Sequence, residues 1–250
     1  MEKSNRIVVS IVTVSFNSEN TIRQTIESVL NQTYDMIEYT LVDGLSSDKT
    51  ISIAKEYSEM FDLRGFAYNI IHEKDNGIYE AMNKGISLSK GSLIGIINSD
   101  DWYELTAVED IVELYNRTGF DLAFGNINIV KNDMQYFKKI AKDSKIPTTR
   151  TWNHPSSFVT KQTYDSLGSF KLNSIYADWD FFLRAKKANR KIMVLNKTIA
   201  NFRIGGVSHL KSFSNFKMKL KCRYMSYREN GFSRIYFFES LFMELIKYFF

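Results

Sequence analysis

Cysteine and proline are scarce in this sequence, since its 250 residues include one Cys and two Pro. The single Cys222 excludes an intramolecular disulfide and a metal site built from cysteines, and it suits a reducing compartment. No stretch reaches the roughly 18 apolar residues of a membrane-spanning helix. The polar N-terminus has no signal-peptide core beyond what a first strand needs. We therefore expect a cytoplasmic protein without a membrane span.

Glycine-rich phosphate loops are also missing. No G-x-G-x-x-G pattern or P-loop follows the first predicted strand, so a dinucleotide site and a P-loop nucleotide site are both disfavoured.

Excess charge is absent from most of the chain, because residues 211–250 hold eight Lys/Arg and three Glu and account for the whole net charge of +5. The neutral remainder argues against a nucleic-acid partner.

The first half of the chain alternates β-branched runs with helical apolar stripes. This order predicts a mainly parallel sheet with helices on both faces, in an α/β fold. At 250 residues, one domain with an appendage is expected. The predicted strands are residues 6–15, 39–42, 66–72, 93–97 and 121–126, and the predicted helices are residues 22–30, 46–57, 76–88 and 107–117.

Polar residues follow each of the first four predicted strands, at the sheet edge where α/β proteins bind ligands. These residues are 15–17, Asp43, Asp75 and the pair Asp100-Asp101. Asp43 could simply form a turn, Asp75 could cap a helix, and Asp101 could cap the helix after it. Two adjacent carboxylates nevertheless need solvent, hydrogen bonds or a cation. A pyrophosphate ligand would need a counter-charge, because no glycine-rich loop is present to bind it. A divalent ion held by Asp100 would supply that charge.

Seven segments in order resemble family 2 glycosyltransferases of the GT-A fold, in the bacterial branch that builds capsule, O-antigen and exopolysaccharide. They read SIVTVSFNSENTIRQTIESVLNQTY, LVDGLSSDKT, EKDNGIYEAMNKGI, NSDD, HPSSFV, ADWDFFLRA and FRIGGVS. The resemblance implies a GT-A catalytic domain over residues 1–210. Its nucleotide-binding half would span about 1–105 and its acceptor-binding half about 106–210, with a helical, basic-aromatic extension over 211–250.

The resemblance also implies a nucleotide-sugar site in the first half. Its expected residues are Thr13, Val14, Ser15, Asn17, Asp43, Asp75, Gly77, Asn83, Lys84, Asn98, Ser99 and Asp100. The last three occupy the metal-binding D-x-D position, with Asn98 where Asp is usual. Asp100 would then be the main ligand of a Mn or Mg ion, with Asp101 and His209 as further candidates.

In the second half, the resemblance assigns Asp178 as the general base that takes the acceptor proton. Ala177 stands where Glu is usual in this motif. His154, Trp179 and Asp180 would face the acceptor, and Arg203 is a further candidate beside the metal or pyrophosphate. Asp178 or Asp180 could instead only cap a helix. The Gln-x-x-Arg-Trp signature of processive synthases is absent, so transfer of a single sugar is expected.

The C-terminal extension interleaves basic and aromatic residues. From residue 235 onward, Phe238, Leu241, Phe242, Leu245 and Phe249 fall on one face of a predicted helix. That pattern suits an interfacial helix on anionic lipid. It equally suits a helix that packs on the catalytic domain or on a second subunit, so a homodimer stays open.

The expected activity is inverting, metal-dependent transfer from a nucleotide sugar, with UDP-sugar as the expected donor. The acceptor would be lipid-linked or an oligosaccharide, at the inner face of the cytoplasmic membrane, in surface-polysaccharide synthesis. Phosphatases and phosphoacceptor receivers are rejected because their key acids follow strand 1, where this chain has Ser15-Phe16-Asn17. A degenerate protein that binds nucleotide sugar without turnover remains the alternative, given Asn98 and Ala177.

Overall fold

The first half of the chain forms four parallel strands joined by helices, as predicted. The structure is a computed structural model that describes residues 7–204 and 213–249. The elements of this half are β1 Val9–Ser15, α1 Ile22–Leu30, β2 Ile37–Asp43, α2 Thr50–Glu56, α3 Ser58–Leu63, β3 Ala67–His72, α4 Ile78–Leu88 and β4 Leu93–Asn98. The strands lie in the order β3-β2-β1-β4, and every neighbouring pair is parallel. Because β1 lies at the centre, all seven of its residues are buried.

The register of these strands aligns their carboxyl ends. Ser15 pairs with Asp43, and Asp43 pairs with His72 on the other side. On β4, Asn98 pairs with Val14, one residue before the end of β1. The polar ends predicted from the sequence therefore meet along one edge of the sheet.

The second half continues the same sheet with mixed strand directions. Its elements are β5 Trp102–Tyr103, α5 Ala107–Thr118, β6 Leu122–Lys131, β7 Met134–Lys139, a 3-10 turn at His154–Ser156, β8 Phe158–Thr160, α6 Lys161–Leu167, α7 Ala177–Lys187 and β9 Ile192–Arg203. Strand β8 runs antiparallel between β4 and β6, and β9 pairs parallel to β6. The predicted fifth strand thus extends to residue 131 and continues into a hairpin with β7, which the sequence reasoning did not anticipate. Its turn is Asn132-Asp133, both at positive φ, a conformation typical of a two-residue hairpin.

Helices cover both faces of the sheet, and each face has its own hydrophobic core. One core joins α1, α2, α3 and α5 to the sheet, and the other joins α4, α6 and α7 to its opposite face. Helix α4 lies very close to β1 because Gly85 lacks a side chain. A Cβ at Gly85 would come within 2.2 Å of Val12 Cγ1. The predicted α/β architecture is confirmed.

Two C-terminal helices form a hairpin against this body. They are α8 Phe213–Glu229 and α9 Tyr236–Phe249. Tyr227 on α8 is fully buried; its ring contacts Trp179 of α7, and its hydroxyl donates to the Pro147 carbonyl at 3.0 Å. The hairpin thus packs on the preceding domain. Among the described residues, no helix combines the length and apolar composition needed to cross a bilayer.

Candidate active site

The buried carboxylate of Asp43 organises the ends of strands β1, β2 and β3. Its Oδ1 accepts hydrogen bonds from Ser15 Oγ at 2.8 Å and Ser46 Oγ at 2.5 Å. Its Oδ2 accepts from the Ser46 backbone N–H at 2.8 Å and lies 2.7 Å from His72 Nδ1. Both oxygens therefore hold the edge of the sheet together. His72 and Ser46 were not among the predicted site residues; the register of β2 and β3 brings His72 to Asp43, and the turn after β2 brings Ser46 there.

The loop after β1 is fixed on the loop after β2. Asn17 adopts φ of 48°, donates its backbone N–H to Ser46 Oγ at 2.8 Å, and accepts at Oδ1 from Ser47 N–H at 2.9 Å. This leaves the Phe16 ring exposed at the sheet edge. The side chains of Thr13 and Val14, by contrast, are buried inside the sheet, so the structure does not bring them to the open edge.

The segment between β3 and α4 lies against the end of β2. Asp75 Oδ1 accepts from the Gly77 N–H at 2.9 Å, and a Cβ at Gly44 would sit only 2.6 Å from Asp75 Oδ2. Gly77 precedes α4 with φ of 125°, a backbone angle that favours glycine. Asp75 and Gly77 therefore lie at the same edge as Asp43.

Two other predicted donor-site residues are occupied by protein contacts. Asn83 exchanges two hydrogen bonds of 2.8 Å with the backbone of Phe170. Lys84 forms an ion pair with Glu73 at 2.6 Å. Asn83 thus ties α4 to the loop before α7, and Lys84 ties it to the end of β3.

The turn after β4 carries the acidic pair. Asp101 is fully buried, and its Oδ1 accepts the Arg203 backbone N–H at 2.9 Å. Its Oδ2 and the Asn98 Oδ1 are buried without a hydrogen-bond partner among the described residues. Ser99 Oγ lies 2.7 Å from Ser18 Oγ, which joins this turn to the loop after β1.

Burial makes this acidic pair costly to ionise. Desolvation raises the pKa of Asp100, opposed by the nearby charge of Arg203. Desolvation and then the Asp100 charge raise the pKa of Asp101 well above its usual range. A bound cation would reverse both effects.

The donor set fits a divalent ion shared with a substrate phosphate. No group of three metal-ligating side chains occurs in residues 7–204 and 213–249, which rules out an all-protein cage within those ranges. Mg²⁺ and Mn²⁺ are commonly held by one or two carboxylates together with phosphate oxygens. Asp100 would supply one such ligand, and Asp101 Oδ2, which is buried without a hydrogen-bond partner among the described residues, would be the second candidate. His209, the third candidate, lies outside the described residues.

Arg203 lies beside the acidic pair at the end of β9. Its guanidinium donates to the Asp100 carbonyl at 3.2 Å and to Gln24 Oε1 at 2.6 Å, and it stacks 5.0 Å from the centre of the Trp102 ring. It also forms an ion pair with Asp133. The C-terminal end of β9 therefore closes the site next to the turn of Asp100.

Asp178 lies in the first turn of α7 and is held by a tyrosine from the first half of the chain. The Tyr79 hydroxyl is 2.9 Å from Asp178 Oδ1 and 3.0 Å from the Ile175 carbonyl. Burial and the Asp178 charge both raise the pKa of Tyr79, so this hydroxyl stays a donor. Tyr79 lies two residues beyond Gly77, so Asp178 is placed next to the sheet edge that carries Asp43 and Asp75.

His154 is a further titratable group near Asp178. It is half-buried, with its ring 5.7 Å from that of Trp152 and 5.9 Å from that of Phe170. Burial lowers its pKa, although the Asp178 charge opposes this shift. His154 is therefore neutral at pH 7.

Tyr79, which contacts Asp178, was not among the predicted site residues, although it lies in EKDNGIYEAMNKGI, one of the seven segments that carry the family resemblance.

Asp180 and Trp179 lie on the inner side of α7. Asp180 is 2% exposed and accepts from Lys171 Nζ at 3.1 Å, Arg184 Nε at 2.9 Å and Asn230 Nδ2 at 2.8 Å. Trp179 is 1% exposed within an aromatic cluster. The structure thus brings Asp178 and His154 together and turns these two neighbours toward the core and the C-terminal hairpin.

Known proteins share sequence and fold with this chain. The family model described as Glycosyl transferase family 2 matches residues 10–178. The putative glycosyltransferase EpsH of Bacillus subtilis (strain 168) is 41% identical over 96 residues, which is 38% of this chain and 27% of EpsH. The chain therefore spans about a quarter of that relative's length.

Two solved structures share the fold. TarS of S. aureus (residues 1–349, in complex with UDP-GlcNAc) superposes with a TM-score of 0.70 at 16% identity, over 97% of this chain and 73% of TarS. The mannosyltransferase PcManGT of Pyrobaculum calidifontis, in complex with GDP-Man and Mn²⁺, gives 0.69 at 12% identity, over 98% and 74%. The arrangement of strands and helices is that of the GT-A fold.

Proposed function

Because this chain belongs to glycosyl transferase family 2, we propose that it moves one sugar from a nucleotide sugar to an acceptor hydroxyl with inversion at the anomeric carbon. The observation that carries this proposal is the contact between Tyr79 and Asp178. It places a half-buried carboxylate next to the sheet edge where Asp43, Asp75 and the acidic turn meet.

The donor site is the edge formed by the loops after β1, β2 and β4. A UDP-sugar is the expected donor, with the exposed Phe16 ring and the fixed Asn17 loop available to its base and ribose. Asp100, assisted by Asp101, would hold a Mn or Mg ion. That ion would neutralise the pyrophosphate and so favour its departure.

Asp178 is proposed as the general base. The acceptor oxygen attacks the anomeric carbon from the side opposite the nucleotide, the bond from that carbon to the phosphate oxygen breaks, and Asp178 takes the hydroxyl proton. It lies in the first turn of α7, and the hydrogen bond from the Tyr79 hydroxyl to its Oδ1 holds the carboxylate in place. A positioned base of this kind contributes about 10²–10⁴-fold.

The acceptor is proposed to be lipid-linked or an oligosaccharide used in bacterial surface-polysaccharide synthesis at the cytoplasmic face of the membrane. This part rests on the resemblance to polysaccharide-building transferases. PcManGT carries GDP-Man, so GDP-sugars belong in the donor screen beside UDP-sugars.

The test compares Asp178→Asn with Asp180→Asn, two substitutions in the first turn of the same helix. Asp178→Asn should lower the initial rate, at saturating donor and acceptor, by about 10² or more. Its UDP-induced thermal shift should stay unchanged. Asp180→Asn should mainly lower the melting temperature, because it weakens a buried site with two cationic partners. A dead Asp180→Asn with an active Asp178→Asn would reverse the assignment. Two active variants would refute it and make His154 the next candidate.

The metal is tested separately with Asp100→Asn. Compared with wild type, the variant should bind UDP much more weakly in Mn²⁺ and only slightly more weakly in EDTA. The reason is that it loses a metal ligand and no contact to the uracil base. Equal affinity of mutant and wild type in Mn²⁺ would refute the metal assignment. Donor binding without metal-dependent hydrolysis or transfer would identify a degenerate nucleotide-sugar-binding protein.

A further inference from the structure

Helix α9 packs on the protein through its polar side. Ser240 and Glu244 are buried, with Glu244 bonded to Arg223 at 2.8 Å and to the Tyr176 hydroxyl at 2.5 Å. Glu239 accepts from Thr148 Oγ1 at 2.8 Å. The buried arc of α9 thus combines these polar side chains with Met243 and the partly buried Tyr236, unlike the wholly apolar inner face usual for a surface helix.

The apolar side of α9 consequently faces outward. We call Phe238, Phe242 and Leu245, together with Ile235 in the turn just before the helix, the outer face of α9; they follow one another at helical spacing. Their exposed fractions are 67%, 69%, 53% and 37%. A row of exposed large apolar side chains at this spacing marks an interaction surface rather than scattered surface residues.

Basic residues border this outer face. Arg150 places its guanidinium 5.7 Å from the centre of the Phe242 ring. Residues 145–150 lead from there to a cavity of about 350 Å³ whose lining includes Lys145, Lys186 and Lys187. We call these three the lysine pocket.

Asp143 offsets the charge of Lys186, whereas no ion pair involves Lys145 or Lys187 among the described residues. Glu239 and Glu244 point inward, as described. Asp143 is paired with Lys186 at 2.5 Å, and Glu229 with Lys171 at 2.9 Å. The surface around the outer face therefore combines exposed aromatic and aliphatic groups with cations.

We propose that the outer face of α9 and the lysine pocket dock on an anionic lipid bilayer, with the aromatic side chains at the level of the acyl boundary and the lysines against lipid phosphates. Interfacial helices bind membranes through this combination of apolar area and basic charge. The inference deepens the proposed function, since a membrane-bound protein would meet a lipid-linked acceptor. Its test needs neither acceptor nor turnover.

The full chain is sedimented with two kinds of vesicle. One is made of phosphatidylcholine alone, and the other contains about 30% phosphatidylglycerol, which gives it an anionic surface. Wild type should partition onto the anionic vesicles, and less so in high salt. The double variant Phe238→Gln/Phe242→Gln should bind about tenfold more weakly. Its matched control is Met60→Gln/Leu63→Gln, two exposed apolar residues on α3, which should bind as wild type.

The charge is tested with Lys145→Gln/Lys187→Gln, which should lower partitioning onto anionic vesicles by about tenfold or more. Lys55→Gln/Lys90→Gln, exposed elsewhere, is the matched control. Wild type that ignores anionic vesicles, or controls that lose binding equally, would overturn the proposal. So would a dimer that dissociates in the Phe238→Gln/Phe242→Gln variant without any lipid binding, because a second copy would then cover the face. UDP-induced thermal shifts on the same samples report separately on the proposed function.

Discussion

A buried ion pair joins the two helices of the C-terminal hairpin where they pack on the catalytic body, and a single substitution should break it. The Arg223 and Glu244 side chains are 0% and 1% exposed and lie 2.8 Å apart. Arg223 also donates to Thr149 Oγ1 at 2.6 Å, and its guanidinium is 4.7 Å from the centre of the Tyr176 ring. Arg223→Met keeps most of the side-chain volume and removes every one of these polar contacts.

The expected loss follows from the burial of Glu244. Removing one partner of a buried pair leaves an uncompensated charge and costs about 3–5 kcal/mol of the free energy of unfolding. For a chain of this size, each kcal/mol lowers the melting temperature by about 2–4 °C. Arg223→Met should therefore lower the melting temperature by roughly 6–20 °C.

The assay is thermal unfolding followed by tryptophan fluorescence. The matched control is Arg234→Met on the exposed turn of the same hairpin, which should stay within about 0.5 kcal/mol of wild type. The double variant Arg223→Met/Glu244→Met should recover most of the loss, because two apolar side chains replace the pair. If Arg223→Met melts like Arg234→Met, the packing of the hairpin described above is wrong.

Three further outcomes follow from the site. Tyr79→Phe should lower kcat by roughly tenfold with unchanged donor affinity, because Asp178 loses a charge-assisted hydrogen bond; an unchanged kcat in initial-rate assays would exclude a positioning role. Gly77→Ala should cost about 1–3 kcal/mol at φ of 125°, and a melting temperature equal to that of wild type would contradict this strain. Burial lowers the pKa of His154 in the folded protein. The unfolded chain therefore binds more protons at this residue, so the free energy of unfolding falls as the pH drops below about 6.5. His154→Gln should therefore lose less stability than wild type between pH 8 and pH 5 in thermal melts.

The C-terminal helix shows where sequence periodicity stops being informative. The pattern correctly placed Phe238, Phe242 and Leu245 on one face. It could not decide which face is buried, because an apolar arc normally packs inward. Arg223 decided it, since a buried guanidinium needs a buried carboxylate, and Glu244 supplies it from the polar arc.

The candidate site likewise combines features that the sequence predicts with features that it does not. The order of strands and helices and the polar residues at their ends were readable from local composition, since burial in a parallel sheet requires β-branched runs and solvent-facing ends require polar groups. The hydrogen-bond partners of those polar residues could not be predicted from local composition. His72 reaches Asp43 only through the register of β2 and β3, and Tyr79 reaches Asp178 across 99 positions of sequence.

The sequence by itself determined the family, the α/β layering and the edge of the sheet at which a ligand can bind, because these depend on residue type and short-range spacing. Only the tertiary structure decided which carboxylate of residues 178–180 is half-exposed and which is buried. Both lie in the first turn of α7. The helix turns by about 100° per residue, so Asp178 meets Tyr79 beside the donor edge, while Asp180 meets Arg184, Lys171 and Asn230 in the core.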